Sequence, residues 1–150
     1  MNIRLGRQGD TDELVAILAA QHKLASPAVP FNERSIRISL SAYMSYHESA
    51  IIVAILDGAV VGMLAIELAR SWANFDHREA RGHMLLVKPE ARGNGIGKAL
   101  LTAGEAWGKS QRAVGLSLGV DVGIGLASHE RLCTKAGMAH NEVWLRKELK

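Results

Sequence analysis

The sequence predicts one mixed α/β domain over residues 1–150, a central sheet with helices packed on it. Three observations predict it. The apolar pattern switches between a period of two and a period of about 3.6, in the order β-α-α-β-β-β-α-β-α-β-β. Two apolar runs, 50–56 and 59–69, are separated only by Asp57-Gly58, a strong hairpin signal. Alternate glycines at Gly93, Gly95 and Gly97 stand at a strand-to-helix junction. A chain of 150 residues is long enough to bury one proper core.

Each element has its own signal. Ile3 and Leu5 alternate with Arg4 and Gly6, a short first strand. Asp10 and Glu13 form a capping-box pattern before Leu14, Ile17, Leu18 and Gln21 at helical spacing. Ser26-Pro27-Ala28-Val29-Pro30 ends that helix. Asn32 caps a second helix whose face is Ile36, Leu40, Tyr43 and His47. The hairpin strands follow, then a polar loop with aromatic residues over 70–80 and a strand over 81–88. Ile96, Leu100, Ala103 and Trp107 share the face of a third helix. Residues 114–120 alternate as a strand, Ser128 caps a short helix that ends at Gly137, and 138–148 read as closing strands through Val143 and Leu145.

Composition narrows the function classes. The apolar share of 48% and charged share of 22% are those of an ordinary globule, and no apolar run approaches a membrane span. One cysteine leaves no internal disulfide and no zinc-cluster spacing, and it suits a reducing cytoplasm. The first ten residues hold no apolar signal-peptide core. A net charge of +3, spread along the chain, permits an anionic ligand without demanding one.

Residues 87–101 carry the sharpest signal. Glycine lets backbone N–H groups approach a ligand closely, and a helix opening there adds unpaired donors and partial positive charge. Arg92 and Lys98 flank the loop with full charges, so its physics is that of a pyrophosphate site. The phosphate loop of nucleoside triphosphatases is excluded: Gly97-Lys98 is preceded at the required distance by Arg92 and followed by Ala99. The dinucleotide fingerprint fails as well, because its last glycine would fall on Lys98 or Leu100. The pattern [Gln/Arg]-x-x-Gly-x-[Gly/Ala] is met by Arg92, Gly95 and Gly97.

With its lead-in of Val87 and Pro89 and the continuation Gly-Ile-Gly-x-x-Leu-Leu, this run resembles the acetyl-CoA loop of the GNAT superfamily of N-acetyltransferases. The segment Arg131 to Met138 resembles the family's C-terminal helix, with Cys133 where the family has Tyr. The resemblance implies a mixed central sheet of about six or seven strands with about four helices. It implies acetyl-CoA as co-substrate and direct acetyl transfer to an amine, on a small molecule or a protein. An aminoacyl-tRNA is the one nucleic-acid partner it admits. A homodimer is compatible with the family, and no interface is legible.

The resemblance also distributes roles. Backbone groups from Arg92 through Gly93, Asn94, Gly95, Ile96, Gly97 and Lys98 would cradle the pyrophosphate. The main chain of Leu85, Leu86 and Val87 would bond the pantetheine arm, and an N–H there would steady the oxyanion. No carboxylate lies between Gly82 and Lys88 to act as the family's strand base. His83, on strand parity with Leu85 and Val87, is the candidate base, with Glu79 next. Cys133, Tyr43, Tyr46 or solvent would supply the acid, or none is needed, although the apolar flanks of Cys133 favour inert packing. Ser26–Phe31, Tyr43 to His47 and Trp72 to His77 would wall the acceptor pocket, the loop aromatics more readily covering a core edge. The absent Tyr and strand Glu leave a second reading, an acyl-CoA-binding or regulatory module without turnover.

Overall fold

The computed structural model describes residues 1–25, 29–119 and 126–140. Its elements in chain order are β1 (Asn2–Leu5), α1 (Thr11–Ala25), α2 (Glu33–Ser45), β2 (Ser49–Leu56), β3 (Ala59–Arg70), β4 (Arg78–Val87), α3 (Ile96–Ser110), β5 (Gly115–Leu118) and α4 (Leu126–Lys135). The sheet runs β1-β2-β3-β4-β5, antiparallel except for the parallel pair β4–β5. It has five strands among the described residues, fewer than the six or seven expected. Residues 138–140 form no strand, and the expected closing strands with Val143 and Leu145 lie outside the described residues.

Two cores form because β2 and β3 are apolar on both faces. One face packs Ile51, Val53, Val60, Met63 and Ala65 against Leu14, Val15, Ile17 and Leu18 of α1 and Leu40 of α2. The other packs Ile52, Ala54, Leu64, Ile66, Ala80 and Leu85 against Ile96 and Leu100 of α3, with Leu132 of α4 joining it. The continuous runs read from the sequence therefore mean a sheet covered on both sides.

Local signals were met in part: α2 stops at Ser45, short of His47, and α4 begins at Leu126, so Ser128 lies inside it instead of at its N-cap. Asn32 caps α2, its Oδ1 accepting from Ser35 N at 3.0 Å. The Asp10–Glu13 box is not made. Asp10 sits in a 3-10 turn before α1 and accepts from Arg4 Nη1 at 2.7 Å, Arg4 Nη2 at 2.8 Å and Arg7 N at 2.7 Å. The Arg4 guanidinium holds this nearly buried carboxyl below its ordinary range. Glu13 instead accepts from Val60 N at 2.7 Å and ties α1 to the start of β3. The 70–80 loop differs as well. β3 and β4 extend as a long hairpin to Arg70 and from Arg78, which leaves only a short turn.

Two ladders carry bulges. Val61 is the extra residue of β3 against β2, and His83 is the extra residue of β4 against β3, between the pairs Ile66↔Gly82 and Ala65↔Met84. α3 lies very close to the sheet because Gly104 and Gly108 face it. A Cβ on Gly104 would stand 2.6 Å from Leu64 Cδ2, and one on Gly108 would stand 2.9 Å from Ala80 Cβ.

That last approach is testable. Helix propensity alone favours Gly108→Ala by about 1 kcal/mol. The rigid Ala80 Cβ reverses the sign, because α3 must lift from β4. Overpacking costs run about 1–3 kcal/mol. The expected result is a net loss of about 1 kcal/mol, read as a lower denaturant midpoint at unchanged slope.

Candidate active site

The sheet opens where β5 leaves β4. β4 pairs with β5 only through Glu79–Gly82, and Gly119 N donates to Gly82 O at 2.9 Å as the last rung. Past Gly82, residues 84–87 of β4 pair with β3 alone among the described residues. Their free edge borders a cleft of about 520 Å³ between β4, the glycine loop and α4. Of the residues expected to bind cofactor, Leu85, Leu86, Val87, Arg92, Gly93, Gly95, Ile96, Gly97 and Lys98 line it. Asn94 does not; its Nδ2 donates back to Ala91 O at 3.3 Å and braces the loop.

The loop is built to present bare N–H groups. Gly93 and Gly95 hold φ of 85° and 73°, the left-handed region that glycine enters freely. A Cβ at either would project into open space. Gly95 begins α3, and no side chain caps the helix. Ala99 N makes the first intrahelical bond, to Gly95 O at 3.0 Å. The N–H groups of Ile96, Gly97 and Lys98 therefore have no partner within the helix. Arg92 Nε donates to Val87 O at 3.1 Å, so this arginine ties the loop to the end of β4. Arg92, Lys98, Arg131 and Lys135 line the cleft, and among the described residues no carboxylate does. A polyanion such as the CoA pyrophosphate fits this donor set.

α4 contributes Ser128, His129, Arg131, Leu132 and Lys135 to the cleft. Sequence reading missed these, because it looked at the position of the family's Tyr. Cys133 does not line the cleft. It is half-buried, and burial raises its thiol pKa. Leu132 takes the inner place, with its Cδ2 3.1 Å from where a Gly97 Cβ would be. His129 Nε2 lies 3.0 Å from Leu85 O, on the open edge of β4.

His83 is not on the side of the sheet that strict alternation assigns to it. The bulge adds one residue between Gly82 and Met84, which reverses parity. Leu85 belongs to the α3 core, whereas the His83 ring meets the α2 residue Tyr43 edge-on at 6.3 Å. There His83 Nε2 lies 2.8 Å from Glu67 Oε1, and Tyr43 Oη donates to Glu67 Oε2 at 2.9 Å. The carboxylate that residues 82–88 lack thus stands beside His83 from β3. Glu67 was legible only as the one charge in the apolar run 59–69. Glu79 lies elsewhere, beside Gly115 and Ser117 of β5.

A second cavity, about 230 Å³, adjoins this relay and is lined by Ala42, Tyr43, Tyr46, Glu48, Ser49, Glu67 and Leu68. Tyr43 and Tyr46 thus line this cavity. Trp72 and Phe75 line neither cavity and cover no core edge, being 100% and 71% exposed at the hairpin turn. Ser26–Ala28 lie outside the described residues, and Phe31 packs on His22 at 5.3 Å.

Burial, then the bond to Glu67, pushes the Tyr43 phenol up to about 12. A group raised in the folded state lends stability below its unfolded value and loses it as pH rises. Native stability should therefore fall between pH 10, the ordinary phenol value, and about 12. In Glu67→Gln the Tyr43 titration, followed by phenolate absorbance, should move down yet stay above the ordinary value, because burial persists.

Comparison with known proteins places these features. A model of the acetyltransferase (GNAT) family matches residues 13–137. An uncharacterised N-acetyltransferase of Archaeoglobus fulgidus is 28% identical over 103 residues, 67% of this chain and 69% of that protein. A tetramutant of the BH1408 protein from Bacillus halodurans superposes with a TM-score of 0.82 at 19% identity, covering 99% of this chain and 100% of that one. A predicted acetyltransferase with acetyl-CoA from Clostridium acetobutylicum gives 0.79 at 16% identity, over 98% and 95% of the two chains. Its sheet, its two-sided helix packing and the family match over most of its length make this chain a member of the GNAT acetyltransferase family.

Proposed function

We propose that this protein transfers the acetyl group of acetyl-CoA to an amine by direct attack. One observation carries the reading. The main-chain edge of Leu85–Val87, which among the described residues pairs with no strand but β3, leads to the glycine loop at the uncapped end of α3. That is a slot for an extended arm ending in a polyanion.

When bound, acetyl-CoA supplies an activated thioester. The chain supplies the rest. N–H groups of Gly93 to Lys98 hold the pyrophosphate, with Arg92 and Lys98 adding charge. Main-chain groups of Leu85–Val87 hold the arm and offer a donor where negative charge develops on the carbonyl oxygen. His83 turns Nε2 to Glu67, 2.8 Å from Oε1, and so offers Nδ1 to take the amine's proton. Glu67, itself held by the Tyr43 hydroxyl, positions that ring. The cavity beside Tyr43 and Glu67 receives the acceptor, an amine of a small molecule or a protein. The single cysteine suits the cytoplasm as the compartment.

The test is CoA release from acetyl-CoA across a panel of amines, with cofactor affinity measured in parallel. Gly95→Val puts a β-branched side chain at φ 73° and crowds the phosphate donors. CoA affinity should fall at least tenfold, while backbone strain costs about 1–2 kcal/mol of stability. Unchanged affinity would sink the loop assignment. His83→Ala should lower kcat by roughly 10²–10⁴-fold, leave CoA affinity intact and abolish the ascending limb of the pH–rate profile. Tight CoA binding without release on any amine would favour the acyl-CoA-binding module instead.

A further inference from the structure

The described structure gives the departing thiolate no phenol on α4, and Cys133 does not line the cleft. Tyr43 is on the opposite face of the sheet and already donates to Glu67. α4 brings a different group to β4. Its Leu132 meets the glycine loop at Gly97, and His129, one turn earlier, reaches Leu85 O at 3.0 Å. The order along the cleft is therefore loop, Leu132, His129, then the bulge at His83. An arm anchored at the loop and laid along β4 ends between His129 and that bulge.

We infer that His129 is the proton donor to the thiol leaving group, an assignment that rests on the acetyl-transfer reading above. As the carbon–sulfur bond breaks, its electron pair goes to sulfur and the Nε2 proton of protonated His129 turns from Leu85 O to join it. His129 is left neutral and regains its proton from solvent. The amine's proton leaves by the other face, through His83. Acid and base so stand on opposite sides of β4, because the bulge turns His83 toward α2 while α4 packs on the α3 side. The donor and acceptor of protons cannot then neutralise each other directly.

The experiment uses ¹⁵N-histidine-labelled protein, with the His129 ring signals assigned by their loss in His129→Gln. CoA and desulfo-CoA, which lacks the thiol, are titrated in turn while the amides of Gly93 to Lys98 are followed. Both ligands should move the loop amides, and only CoA should move the His129 ring nitrogens strongly. His129→Gln keeps a donor for Leu85 O but has no titrating proton. Its kcat should fall by roughly 10²-fold or more, with CoA affinity within about twofold of the parent. Loop amides that shift while the ring ignores the thiol would overturn the assignment and leave the acetyl-transfer reading standing. So would a glutamine variant with parental kcat, or one that loses affinity and turnover together, which marks a tether. Loop amides that move with neither ligand would remove both readings.

Discussion

β4 carries one residue more than β3 can pair, and His83 is that residue. A bulge raises local twist and bends the strand that holds it. Here it falls immediately after Gly82, the last residue of β4 paired with β5. The two strands therefore part at the point where the side-chain alternation also resets. Among the described residues Leu85–Val87 then pair with β3 alone, and the reset sends His83 to the opposite face from Leu85. Both consequences concern function, and both come from the same extra residue.

The rest of the fold holds that opening in place. Gly62 lets Ile96 and Leu100 of α3 close against β3, with a Cβ there 3.2 Å from each and 3.0 Å from Leu86 O. Gly104 and Gly108 continue the close approach farther along α3. A helix pressed this near the sheet has its N-terminus fixed beside the end of β4, which brings the glycine loop to the mouth of the cleft. Lys88 N donates to Val61 O at 2.9 Å and Arg92 Nε to Val87 O, so the strand end and the loop are bonded rather than merely adjacent.

Charge is sorted by face. Among the described residues the cleft gathers Arg92, Lys98, Arg131 and Lys135 without a carboxylate. The α2 face gathers Glu67 with His83 and Tyr43, and Glu48 with Arg70 at 2.7 Å. A polyanion suits the first set. The second set is internally paired, so it orients a ring and a phenol instead of presenting a large field. This arrangement suits proton transfer from an amine better than tight capture of a second ion.

The loop, the elements and the order of the sheet's apolar runs were legible in the chain because they rest on local rules. Alternate glycines, a capping Asn32, a hairpin Asp57-Gly58 and a helical apolar stripe act within a few residues of themselves. From them the sequence determined the fold class, the glycine loop at 92–98 and the strand that leads into it. What it could not determine was any relation that crosses strands. A bulge is a mismatch between two partners, so neither β3 nor β4 alone announces it. The facing of His83, the arrival of Glu67 beside it and the replacement of Cys133 by Leu132 and His129 at the cleft all depend on register and helix docking. Those are set by side-chain packing between distant segments, which only the tertiary structure decided.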